Sequence, residues 1–190
     1  MQRKCITLLD PVSWDDKNDT EIMLEYKKRK KLKGLLALCF SYGDETIHHW
    51  KAFSNGSSGC LIEFDAIAII KAIDGIPSIK HGKVQYEKLR EIEKKDRVIE
   101  LEEIPFIKRW PYRCEAEYRV IKTSDKSEKY FDISIPLESI NRITISQHMP
   151  EQIYKTIKNY LRELRGDPES RINRSTLYEN KRWINRFRQY

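Results

Sequence analysis

Leu35-Leu36-Ala37-Leu38-Cys39-Phe40-Ser41 decides the fold. A half-exposed strand alternates apolar with polar residues, and this run does not. Its uniformly apolar character predicts a central strand buried on both faces. Ser41, at its end, then emerges at a strand C-terminus, where open sheets place ligands, although a turn cap is the ordinary reading of a lone serine there. Upstream, residues 5–9 read as a short strand and Asp10-Pro11 as a turn. Asn18 or Asp19 is expected to cap a helix through Ile22, Met23 and Tyr26. The basic run Lys27-Lys28-Arg29-Lys30-Lys31 suits the C-terminal end of that helix, with Gly34 as its stop.

Downstream, Asp44 is expected to cap a helix whose buried stripe is Ile47, Trp50 and Phe53, with His48 and His49 at its edge. After the loop Ser54-Asn55-Gly56-Ser57-Ser58-Gly59, residues 60–65 read as a strand with Glu63 and Asp65 on one face. A helix over 66–72 and a strand over 83–86 follow. Residues 87–103 read as an exposed charged helix broken near Asp96, and Pro105 separates them from 106–110. Residues 116–121 and 130–135 predict a hairpin, and 140–145 a further strand of the same sheet. From Glu151 a helix runs through Ile153, Tyr154, Ile157, Tyr160, Leu161 and Leu164 to Gly166. Ser170 or Asn173 begins one or two more. The expected fold is α+β: a mixed, mostly antiparallel sheet with flanking helices over 1–148, and a basic helical appendage over 149–190.

The chain has 190 residues, enough for a real core, and is 34% charged with no apolar run near the ~20 residues that span a bilayer. No secretory signal is read, so a cytoplasmic, non-membrane protein is expected. Cys5, Cys39, Cys60 and Cys114 stand apart and are expected to be buried free thiols. Residues 150–190 hold ten Lys/Arg against five Asp/Glu, so +5 of the formal +7 lies there. That basic segment suits a nucleic acid, with Arg171, Arg174, Lys181, Arg182, Arg186 and Arg188 on phosphates and Tyr178 or Trp183 stacking on bases. A partner protein docked on Trp183, Ile184 and Phe187 fits as well, and so does a solvated helical surface.

Chemistry is concentrated in Trp110-Pro111-Tyr112-Arg113-Cys114-Glu115-Ala116-Glu117-Tyr118-Arg119. On a strand, Glu115, Glu117 and Arg119 share a face with side chains roughly 7 Å apart. Paired carboxylates raise each other's pKa and an arginine lowers them, which suits a general base or a stabiliser of a cationic transition state. A solvent-facing salt-bridged ladder is the alternative. Trp110 and the acidic face of Glu63 favour a shared pocket. The pocket reading assigns Glu117, Glu115, Ser41 and His49 to catalysis, and Trp50, Glu63, Trp110 and Arg119 to substrate binding. Phosphate-binding glycine loops are missing, the four histidines have no metal-ligand spacing, and Asp15, Asp16 and Asp19 suit a divalent ion no better than loop capping, so no metal is expected.

The ordered set Trp14-Asp15-Asp16-Lys17-Asn18-Asp19, Cys39-Phe40-Ser41, His49-Trp50, Gly59-Cys60-Leu61-Ile62-Glu63-Phe64, Val84-x-Tyr86 and Lys108-x-Trp110…Glu115-x-Glu117-Tyr118-Arg119 resembles the bacterial domain-of-unknown-function family 2971 over roughly residues 5–145. That resemblance implies no agreed activity, only an association with mobile elements and phage defence. A second, fold-level resemblance is to ADP-ribosyltransferases. It implies NAD as substrate, Glu117 stabilising the ribose cation and Glu115 orienting the acceptor. Ser41 would sit on the second element, and the first-strand arginine has its counterpart only in Arg3.

Overall fold

The computed structural model describes residues 4–54, 56–94 and 98–188; Arg3 and the expected helix break near Asp96 lie outside them. In chain order the strands are β1 (Cys5–Leu9), β2 (Gly34–Ser41), β3 (Cys60–Phe64), β4 (Ile79–Lys83), β5 (Gln85–Glu87), β6 (Ile107–Arg109), β7 (Glu117–Ser124), β8 (Tyr130–Ser134), β9 (Ile140–Ile145) and β10 (Ile172–Arg174). The helices are α1 (Lys17–Arg29), α2 (Ile47–Phe53), α3 (Ala66–Ile73), α4 (Leu89–Ile92), α5 (Glu151–Arg165) and α6 (Lys181–Phe187). The fold is α+β with mostly antiparallel pairing, as expected. The chain divides into two compact units. One runs up to Asp44 and from Lys71 to Ile135; the other takes Glu45 to Ile70 and everything from Pro136. That division does not coincide with the expected break at 148/149.

The first unit is built on an antiparallel sheet in the order β4-β7-β2-β1-β8. β2 is its middle strand, and Leu35, Leu36 and Ala37 are buried to 3% exposure or less. β2 pairs with β7 along its whole length, from Gly34 opposite Ser124 to Ser41 opposite Glu117. A Cβ on Gly34 would lie 2.4 Å from the Lys126 carbonyl oxygen, so the strand's entry admits only glycine without a backbone shift. The expected hairpin of β7 with β8 does not form. β8 pairs with β1, and two strands stand between it and β7. Alternation sets which face a side chain takes, not which strand lies alongside.

Asp16, not Asn18 or Asp19, caps α1 by accepting from the Asn18 N–H at 3.0 Å. Met23 and Tyr26 then fall on the face that packs against Leu35, Ala37 and Ile121, with Trp14, Leu101 and Phe106 around them. β5 and β6 form a separate parallel pair. In place of the expected long helix, the described residues of the charged stretch 87–103 form one four-residue helix, α4.

The second unit holds a three-stranded sheet, β10-β9-β3. β9 therefore belongs to this sheet and not to that of β7. Asn173, expected to open a helix, lies in β10, parallel to β9. Ile143, Ile145 and Ile172 form the core, covered by Tyr154, Ile157 and Leu161 of α5. α5 ends at Gly166, whose φ of 63° is the left-handed cap conformation that glycine adopts without strain. Ile153, Tyr160 and Leu164, read as part of its buried stripe, are 51%, 54% and 39% exposed.

Thr46 rather than Asp44 caps α2, and Ile47 and Phe53 are exposed, so the expected buried stripe does not form there. Three of the four cysteines are exposed too. Cys39 lies in the outer half of β2, Cys60 on the edge strand β3 and Cys114 in a 3-10 turn; being near a strand says nothing of depth. No helix among the described residues is long and apolar enough to cross a membrane.

Candidate functional site

In the first unit Glu117 and Arg119 sit two apart at the start of β7 and share a face. Glu115 does not lie on that strand, as the ladder expectation required. It ends a short 3-10 helix, and Ala116, at φ 44°, turns the chain between them. All three side chains nevertheless meet, joined by Asp19 from α1 and Lys108 from β6. Arg119 grips Asp19 through both terminal nitrogens, at 2.6 and 2.9 Å. Its Nε donates to Glu117 Oε1 at 2.6 Å and its Nη1 to the Pro105 carbonyl at 2.8 Å. Lys108 Nζ lies 2.6 Å from Glu115, 3.2 Å from Glu117 and 3.5 Å from Asp19. The Trp14 ring stacks 5.0 Å from the guanidinium and the Tyr112 ring 5.0 Å from the ammonium. Tyr86 Oη accepts the Glu117 N–H at 2.8 Å.

None of the five charged residues is more than 8% exposed, and Arg119 is fully buried. The solvent-facing ladder is therefore overturned. Burial by itself pushes the Glu117 carboxyl up, but Arg119 and Lys108 more than offset it and hold it below the ordinary 4.5. Burial alone would lower the Lys108 ammonium, yet Glu117, Glu115 and Asp19 hold it above the ordinary 10.5. Glu117 stabilises the fold above its unfolded pKa, and that stability is lost as pH falls through the depressed value. Lys108 stabilises it fully below its unfolded pKa, and that part is lost as pH rises through the raised one. From these two groups the unfolding free energy is expected to be flat between about pH 5 and 10 and to fall on both sides. Denaturant titrations against pH check this. The acid limb should be shallower in Glu117→Gln, and an unchanged limb would count against the assignment.

Glu117 is 3% exposed and both its oxygens are taken by cations, so the chemistry of this cluster is that of a closed network. Such a network holds α1, β6, β7 and the 3-10 turn together. Asp19 and Lys108 were absent from the sequence-based site. Asp19 carried a signal: it lies four and seven residues before Met23 and Tyr26, on the helix stripe that enters the core. A carboxylate on that stripe requires a buried cation. Lys108 had no comparable periodic signal and entered only as a member of the ordered motif set.

Other expected residues are placed elsewhere. Ser41 is exposed, its Oγ accepting from the Gly43 N–H at 3.2 Å as a turn cap does. Trp110 is 39% exposed, with the Lys88 ammonium and the Arg113 guanidinium each 4.9 Å from its ring. His49, Trp50 and Glu63 belong to the second unit, so neither unit by itself assembles the expected Ser41–His49–Glu63–Glu117 pocket. Glu63 pairs with Arg142 at 2.7 Å on the exposed edge of its own sheet. His49 Nε2 is enclosed without a hydrogen-bond partner, and Trp50 Nε1 donates to Glu45 at 2.7 Å.

Among the basic residues Arg174 is committed internally, to Glu151, the Met149 carbonyl and the Tyr154 ring. Arg171 is exposed on β10's approach, and Lys181, Arg182, Arg186 and Arg188 are exposed on and just after α6. No protein-family model, no curated protein and no solved structure matches the chain.

Proposed function

We propose that this protein binds single-stranded nucleic acid through the second unit. The observation that carries the reading is α6. The Asn180 side chain sets its start by accepting the Trp183 N–H at 3.0 Å. Trp183 and Phe187, four residues apart, then form an aromatic pair with centroids 5.2 Å apart, left 68% and 63% exposed. Lys181, Arg182, Arg186 and Arg188 flank the pair along the chain, and residues 180–188 contain no carboxylate. Cations that track phosphates beside exposed rings that stack on bases are what a single strand requires. A duplex has already stacked its bases on each other. The transferase reading would need a ribose to reach Glu117, and a doubly engaged carboxylate at 3% exposure argues against it.

Kinship with the domain-of-unknown-function family 2971 belongs to the same proposal. What supports it is that Trp14, Asp19, Tyr86, Lys108, Glu115, Glu117 and Arg119, all from the ordered set, meet around one ion network. In that reading the motif residues maintain the scaffold and the second unit makes the contact.

The test is fluorescence anisotropy of a short labelled single strand at rising salt. If all four α6 cations engage phosphates, log K should fall with log [salt] at a slope of about −3. Measurable affinity with a flat salt dependence would point to protein docking instead, and no affinity at low salt would overturn the proposal.

A further inference from the structure

The second unit contains a cavity of about 160 Å³ whose walls include Trp50, His148, Tyr178, Gln147 and Lys51. We infer that this cavity receives one unpaired nucleobase carrying a ring carbonyl. The inference rests on the nucleic-acid reading above and deepens it. Size comes first. Pockets for drug-sized ligands run to roughly 300–1,000 Å³, so this one admits a single ring system and not a dinucleotide.

The walls are aromatic and already ordered. The His148 and Tyr178 rings meet edge to face at 5.2 Å. Trp50 is held by its 2.7 Å bond to Glu45, whose same oxygen accepts from Ser175 Oγ at 2.6 Å. A Cβ on Gly59 would lie 1.8 Å from Ser54 Oγ and 3.2 Å from the Trp50 ring, so glycine there leaves room for both side chains. Ser146 Oγ is occupied, donating to the Gly56 carbonyl and accepting from the His148 N–H.

Gln147 sets the polarity of recognition. Its Oε1 accepts the Tyr178 N–H at 3.1 Å, which fixes the amide orientation and makes the nitrogen the end that can serve a ligand. An amide offering only N–H groups recognises an acceptor. Uracil, cytosine and guanine meet it with a carbonyl oxygen, which has two lone pairs and takes a donor over a wide range of angles; adenine meets it only with ring nitrogens, each with a single in-plane lone pair. Lys51, exposed at the rim, supplies a charge for the attached phosphate. No site assigned from the sequence included Gln147, His148 or Lys51.

The experiment compares oligouridylate with oligoadenylate of equal length on the intact chain and on Gln147→Ala, Tyr178→Ala and Trp50→Phe, with circular dichroism to verify folding. Wild type is expected to prefer oligouridylate by roughly three- to tenfold, the worth of one net hydrogen bond. Gln147→Ala should erase the preference while leaving the salt-dependent affinity. Tyr178→Ala, at a position 47% exposed, should weaken oligouridylate binding without loss of fold. Folded variants that keep the wild-type preference, or a wild type that binds both oligomers equally, overturn the pocket and leave the α6 reading standing. A wild type that binds neither overturns both.

Discussion

Replacing Arg119 by methionine is expected to lower the stability of the protein by roughly 3–5 kcal/mol, the cost of leaving one side of a buried ion pair uncompensated. Methionine nearly fills the space of the aliphatic stem, so the loss comes from Asp19 and Glu117, stranded at 3% exposure. For a chain of this size the melting midpoint should fall by on the order of 10 °C. Arg119→Lys should recover little of this, because an ammonium cannot match the two-pronged grip on Asp19. Glu63→Gln is the control. It removes an ion pair whose side chains are 45% and 40% exposed and should change stability by less than about 1 kcal/mol. Urea unfolding of the three variants decides the matter. If Arg119→Met unfolds at the wild-type midpoint, the network does not hold the first unit together.

The second large effect is on binding. Trp183→Ala combined with Phe187→Ala should reduce affinity for a single strand by about a hundredfold, since each ring stacked on a base is worth roughly 1–3 kcal/mol. Both rings are mostly exposed, so the melting midpoint should not move. The salt slope should not move either, because no cation has been removed. Arg182→Ala with Arg186→Ala should do the reverse in kind, lowering the slope by about 1.4 and weakening every sequence alike. Anisotropy at several salt concentrations separates the two patterns. Undiminished affinity in the aromatic variant would remove α6 from the interface.

The two predictions draw on residues that were unequally legible. The arginines and aromatics of α6 could be read directly, because a segment with four cations, two rings and no carboxylate states its surface chemistry wherever it lies. The Glu115, Glu117 and Arg119 set was also visible, but its environment was not. A charged strand face looks the same in sequence whether it meets water or meets Asp19 and Lys108 brought from ~100 and ~10 residues away. The hairpin expectation failed for a related reason. β7 and β8 are adjacent in sequence with matching periodicity, yet β7 pairs with β2 and β8 with β1, a choice that periodicity does not encode.

Read alone, the letters determined the α+β class, the central place of β2, the course of α5 to its glycine stop and the basic character of the C-terminal segment. Each of these depends on local pattern: uniform hydrophobicity, helical period, a left-handed cap and net charge. Tertiary structure decided which strands are neighbours, where the two units divide the chain, and that the paired carboxylates are sealed by cations. Those outcomes depend on contacts between residues distant in sequence, whose free energy exists only once the chain has brought them together.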